Sequence, residues 1–207
     1  MATGIQGTLL PMGHRGPLRP IRATYADLEA VPSNQVAELI QGTLYTFPRP
    51  APKHANTTSA LGIKIGGPFH LGDRGPGGWW ILDEPEIHFP DPTAPGEIDA
   101  VVPDLAGWKR ARMPALPEEA YFTLAPDWIC EVLSKGTKAH DREDKMPLYA
   151  REGVQHAWLI DPLTRTLEVY TLGAGKRWSE PVSYSGVEVV RAAPFDAVEI
   201  DLSSLWA

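Results

Sequence analysis

Apolar and polar positions alternate most clearly between residues 127 and 133. There Asp127, Ile129, Glu131 and Leu133 fall on one side of an extended chain, and Trp128, Cys130 and Val132 on the other. Both sides are largely apolar, the pattern of a central strand covered on two faces. A second segment, "EIDAVVPDLAGW", reads as one further strand with Ile98, Ala100, Val102 and Asp104 on a shared face. "WWILDEPEIHF" is strand-like on both sides of Pro85. "AELI" and "TLYTF", joined by Gln41-Gly42, predict a hairpin. "HAWLIDP", "TLEVYTL" and "KRWSEPVSYSG" predict a closing run of strands, with turns at Asp161-Pro162 and Gly173–Gly175.

Helical signals are fewer. Thr24 offers an N-cap for "YADLEAV", with Asp27 three residues later in a capping-box position. "HANTTSALGIKI" is a weak helix, lowered by Gly62 and its β-branched residues. A third helix is expected over roughly 141–152, ended by Gly153. Pro147 then belongs in its first turn or at a kink, because a proline in a helix interior loses a hydrogen bond and clashes with the preceding turn. Strands, helix, strands, helix, strands in that order predict an α/β or α+β domain: a mixed central sheet flanked by helices, with an N-terminal β-hairpin extension. Residues 1–22 read as a flexible arm ending in the basic "PLRPIR", and residues 23–207 as a single domain.

Composition narrows the picture. Twenty-one prolines and nineteen glycines require many turns and argue against a plain helical bundle. The net charge of −7 is unlike that of proteins that grip nucleic acid mainly by neutralising phosphates, so such a role needs a local basic patch or a bound cation. Cys130 is the only cysteine and lies inside an apolar strand, which suits a reducing cytoplasm. No apolar block resembles a signal peptide or a membrane span.

The chemistry starts from Glu131. A carboxylate in a doubly covered strand loses several kcal/mol of solvation unless it is protonated, paired or metal-bound. Asp104 repeats the pattern at the end of its own apolar segment. If the two strands are neighbours, the acids converge, and two close carboxylates either share a proton or take a cation between them. Hard oxygen ligands suit Mg²⁺, and Lys145 would add a positive charge beside it. The residues alone favour an ordinary ion pair, and "DREDK" also reads as a solvated helix start. Six histidines without HExxH or Cys/His spacing exclude a zinc motif, and "GAGKR" lacks the spacing of a phosphate loop.

"VPDLAGW", followed by "PDWICEVLSKGTKAHDREDKMPLYAREGVQHAWLIDPLTRTLEVYTL", resembles the Uma-type family of restriction-endonuclease-like proteins, a branch of the PD-(D/E)XK nuclease superfamily. The ordered set carries the resemblance: PD at Pro103-Asp104, PD-x-x-x-EVLS from Pro126, D-x-x-x-K-x-x-x-Y from Asp141, Gly153-Val154, and W-x-x-D-P from Trp158. Upstream, "AELIQGTLYTFPRPAPKHA" matches the family's E-L-x-x-G-x-L-Y hairpin, proline-rich step and histidine.

The resemblance implies a restriction-endonuclease-like core and a Mg²⁺-dependent endonuclease, with Mn²⁺ as substitute, acting on DNA. It makes Asp104 and Glu131 the metal-binding acids. The superfamily's usual lysine position is Leu133 here, which shifts the lysine's role to Lys145 on the next helix. Glu38 matches a further acid of the hairpin, and His54 the family histidine. Asp141 is expected to orient Lys145, and Tyr149, Trp158 and Asp161 to serve packing and a turn. Phosphate contacts are expected from "KRAR" at Lys109–Arg112 and from Lys135, Lys138 and Arg142. Related folds often pair, so the resemblance extends to a homodimer. The alternative on the same scaffold is a catalytically inactive relative that binds nucleic acid or a protein partner.

Overall fold

The computed structural model describes residues 22–206. The expected arm lies outside the described residues except for Arg22, whose guanidinium pairs with Asp91. In chain order the first elements are α1 (Tyr25–Glu29), β1 (Gln35–Ile40), β2 (Thr43–Pro48) and α2 (Pro52–Ile65). Then come β3 (Trp79–Asp83), β4 (Ile87–Pro90), β5 (Ile98–Val101), β6 (Leu105–Lys109) and β7 (Trp128–Val132). A helical crossover, α3 (Lys138–His140) and α4 (Met146–Glu152), leads to β8 (His156–Asp161) and β9 (Thr166–Gly173). The short strands β10 (Arg177–Trp178), β11 (Val182–Ser185), β12 (Val189–Val190) and β13 (Ile200–Asp201) complete the chain.

The central sheet has seven strands, in the order β10-β9-β8-β7-β6-β3 with β11 also on β9. It is mixed: β7 and β8 are parallel, joined by the helical crossover, and the other pairs are antiparallel. A second, antiparallel sheet runs β2-β1-β5-β4, so the predicted hairpin extension is continued by two later strands. Gln41 and Gly42 make its turn at φ 49° and 73°, the left-handed pair that a two-residue hairpin needs.

Sequence alternation holds on β7. Trp128, Cys130 and Val132 join the apolar cluster that includes Leu61 and Ile65 of α2 together with Phe195 and Leu202. Ile129 and Leu133 join the opposite cluster, with Met146, Leu148 and Tyr149. The expected single strand over "EIDAVVPDLAGW" is instead two, β5 and β6, in different sheets. Pro103 has no N–H to donate to a ladder, and the chain steps from one sheet to the other there. The same holds across Pro85, where β3 and β4 belong to separate sheets. The third helix begins earlier than expected, and its middle turn, Asp141–Lys145, is a π-helix. That wider turn precedes Pro147 and lets it enter the first turn of α4 without breaking the run. None of the described helices is long and apolar enough to cross a membrane.

Candidate active site

The switch between sheets brings the acids together. On β6 and β7 the antiparallel register pairs Leu105 with Cys130 and Gly107 with Trp128. Asp104 immediately precedes β6, and both it and Glu131 line the same cavity. Asp104 Oδ2 extends the ladder by accepting the Val132 N–H at 2.6 Å. Its Oδ1 lies 3.2 Å from His54 Nε2 on α2.

Lys145, at the end of the π turn, is 3 % exposed and its ammonium has three partners. Nζ is 2.8 Å from Glu131 Oε1, 2.9 Å from Glu38 Oε1 and 3.1 Å from the Val102 carbonyl it donates to. Tyr149, one turn further along, donates to the same Glu131 Oε1 at 2.6 Å. Glu38 on β1 also accepts the Val102 N–H, and its Oε2 meets His140 Nε2 at 2.7 Å. His140 packs against the rings of Tyr45 and Phe47 and reaches Asp144 through Nδ1.

These groups form the floor of a cavity of about 250 Å³. Its lining includes Glu38, His54, Glu84, Asp104, Glu131, His140, Asp141 and Lys145, with Phe47–Ala51, Ser134, Gly136 and Thr137 at its sides. Five carboxylates therefore line the cavity with one ammonium, one guanidinium and two imidazoles. Burial pushes the Glu131 carboxyl well up; Lys145 opposes this, and Asp141, Asp104 and Glu38 add to the rise. Burial likewise pushes Asp141 up to about 6, against Lys145 and a Thr137 hydrogen bond. Lys145 moves the other way: burial disfavours its charge, but Glu131 and Glu38 hold it protonated. The floor is short of positive charge, and its donors are hard carboxylate oxygens, which fits a divalent cation of the Mg²⁺ type. Among the described residues, no three His, Cys, Asp or Glu are already gathered in ligand geometry.

Every residue expected at the site lines this cavity: Asp104, Glu131, Lys145, Glu38, His54 and Asp141. Two expected roles change. Asp141 is not a hydrogen-bonding partner of Lys145, whose three protons go to Glu38, Glu131 and Val102, and Thr137 is its own partner. Tyr149, expected only to pack, holds Glu131. His140 was missed; its signal was the spacing of four to Asp144, which puts both on one helix face.

Of the expected basic residues, Lys135 is exposed at the cavity edge, between the lining residues Ser134 and Gly136; the others do not converge on the cavity. "KRAR" starts at the far end of β6 from Asp104, roughly 15 Å away at the rise of a strand. Arg112 pairs with Asp127 at 2.9 Å, and Arg110 lies 3.8 Å over the Trp80 ring. Lys138 pairs with Asp161 and Arg142 with Glu168. Asp161 also closes its turn by accepting the Leu163 and Thr164 N–H groups, and Trp158 sits in the core, both as expected.

The family model Uma2, described as "putative restriction endonuclease", matches residues 22–203. A solved structure from Anabaena variabilis, titled as a putative nuclease belonging to DUF820, superposes with a TM-score of 0.69 at 22 % identity. The match covers 88 % of this chain and 97 % of that one, and shows a shared fold. No curated protein matches the chain.

Proposed function

The chain belongs to the Uma2 family of restriction-endonuclease-like proteins, and from that premise we propose that it hydrolyses phosphodiester bonds in DNA with Mg²⁺ or Mn²⁺ held by Asp104 and Glu131. The observation that carries this reading is the cavity floor, which those two acids share with a buried, charged lysine, Asp104 reaching the residue next to Glu131.

A divalent cation there would supply an activated water and offset charge on the phosphoryl oxygens. Asp104 is aimed by the Val132 N–H and His54, and Glu131 by Lys145 and Tyr149, so both carboxylates are preset before substrate arrives. Lys145 stays protonated between its carboxylates, so its contribution is positive charge rather than proton abstraction. Glu38 has both oxygens engaged and serves to hold Lys145 from the hairpin side. The reading includes a homodimer and a reducing, cytoplasmic setting, in keeping with the buried free thiol of Cys130.

A second reading, an inactive relative that binds nucleic acid or a protein partner, is favoured by the net charge of −7 and by Leu133 standing where the superfamily has its lysine. A nicking assay on plasmid and single-stranded DNA separates the two. Wild type is expected to cut with Mg²⁺ or Mn²⁺ and not with EDTA, and Glu131→Ala or Lys145→Ala to abolish cutting. Cutting that survives both substitutions removes the proposed site. DNA binding without cutting by any form favours the inactive relative.

A further inference from the structure

The cavity above the acids has a shape and charge that restrict what can reach them. Its floor is polar, but one wall is apolar, made by Val36, Phe47, Pro48, Pro50 and Ala51. Phe47 is half-buried and rests on His140 with ring centroids 5.0 Å apart, while Pro48 and Pro50 are exposed. At about 250 Å³ the space falls just below the range of roughly 300–1,000 Å³ typical of small-ligand pockets. That is the scale of a single base rather than of a base pair.

Charge points the same way. The lysine and arginine side chains lining the cavity are Lys145, enclosed by two carboxylates, and Arg49. Arg49 is exposed and donates to the Ser33 carbonyl at 2.7 Å, and among the described residues no acid lies within ion-pair distance of it. Duplex binding through the backbone draws on about 6–10 neutralised phosphates, and beside Arg49 the cations without an acid partner at this rim are only the exposed Lys53 and Lys135, next in sequence to lining residues, among the described residues. Single strands are held differently, by stacking successive bases on aromatic side chains, with less demand for charge.

Resting on the nuclease reading of the same site, we propose that the substrate is single-stranded or locally unpaired DNA. One unstacked base is seated against Phe47 and Pro48, and Arg49 takes a flanking phosphate. The phosphodiester next to that base then lies over Asp104 and Glu131. An intact duplex would have to extrude a base to reach them, at the cost of unstacking and unpairing it.

The test uses the full chain and a fluorescein-labelled 12-residue single-stranded oligonucleotide, alone and annealed to its complement, with anisotropy read in EDTA. The single strand is expected to bind at least tenfold tighter than the duplex. Its log–log salt slope is expected to be about −0.7 to −1.4, as for one or two phosphate contacts. Phe47→Leu keeps an apolar contact on His140 but removes the aromatic face, and is expected to weaken single-strand binding about tenfold. Arg49→Gln, on an exposed side chain, is expected to flatten the slope by about 0.7. Duplex binding of equal strength, or single-strand binding untouched by both substitutions, overturns the proposal.

A parallel cutting assay in Mg²⁺ keeps this proposal distinct from the nuclease reading. Duplex cut faster than single strand overturns the single-strand inference and leaves the nuclease standing. Single-strand binding that depends on Phe47, without cutting, leaves the seat for a base and removes the nuclease. Neither binding nor cutting removes both.

Discussion

Lys145 Nζ sits 2.8 Å from Glu131 Oε1, with both side chains almost wholly buried. A pair so placed is costly to break from one side, because the remaining charge has lost its partner as well as its water. Lys145→Met should therefore lower unfolding free energy by about 3–5 kcal/mol. Removing both charges, in Glu131→Gln/Lys145→Met, should recover a large part of that loss despite carrying one more substitution. Urea unfolding of the two single variants and the double variant gives the coupling directly. Additive losses would mean that the contact contributes little.

Asp141 carries a different cost. Burial raises its carboxyl to about 6 in the folded chain, against 3.8 for the free group. The folded state therefore binds this proton more tightly than the unfolded state. Its effect on stability is favourable at low pH, falls as pH rises from about 4 to 6, and stays lost above that. Asp141→Asn should then be more stable than wild type at pH 7.5, on the order of 2–3 kcal/mol, and about equal to it at pH 4. The comparison is made by thermal unfolding in EDTA, so that no added cation offsets the carboxylate. A variant less stable than wild type at pH 7.5 would show that the Thr137 hydrogen bond outweighs the burial.

The two halves of the site were not equally legible in the sequence. The alternation on β7 put Glu131 on an inward face correctly, because a strand covered on both sides leaves no other place for that side chain. Asp104 was found, but on a strand that does not exist as one piece; Pro103 is where the chain changes sheets, and periodicity does not carry through such a step. Thr24, Gln41-Gly42 and Gly153 announced a cap, a turn and a helix end, since each does so through its own backbone or side chain. His140 gave only the spacing of four to Asp144 as a sign. It matters because Glu38 on β1, 102 positions earlier, meets it on the crossover helix, and a contact of that separation leaves no local pattern. The basic residues misled for the same reason: nearness in sequence to Asp104 placed "KRAR" at the other end of β6.

Gly107 tests the packing beneath the site. It lies in β6 between Ile81 and Trp128, and a Cβ there would come 3.1 Å from Ile81 Cδ1 and 3.2 Å from Trp128 Cε3. Trp79 Cε3 would be 3.3 Å away, so two indoles and a buried isoleucine would have to move together. Gly107→Ala is expected to cost about 1–3 kcal/mol of overpacking, more than the few tenths to 1 kcal/mol that replacing a flexible glycine returns. A urea midpoint at or above that of wild type would show that this region yields.

Glu38 and His140 make a pair with a stability window of its own. Burial opposes ionisation of Glu38, but Lys145, His140 and the Val102 N–H together hold its carboxyl at about 2, from an ordinary value of 4.5. A lowered carboxyl contributes stability above its unfolded value, and that stability is lost as pH falls through 4.5 towards 2. His140 runs the other way. Burial lowers it, yet the Glu38 hydrogen bond, with Asp144, raises it above 6.5 in spite of repulsion from Lys145. Its contribution is full below 6.5 and is lost as pH rises through the folded value. Both charges are therefore in place between about pH 5 and 6.5, and there the deficit of Glu38→Gln against wild type should be largest. We expect about 3 kcal/mol in that window, shrinking steeply towards pH 2 and more gently on the alkaline side, where Lys145 still holds Glu38. Urea unfolding at half-unit steps from pH 3 to 9 measures the profile, and a deficit independent of pH would show that Glu38 acts through its shape and not its charge.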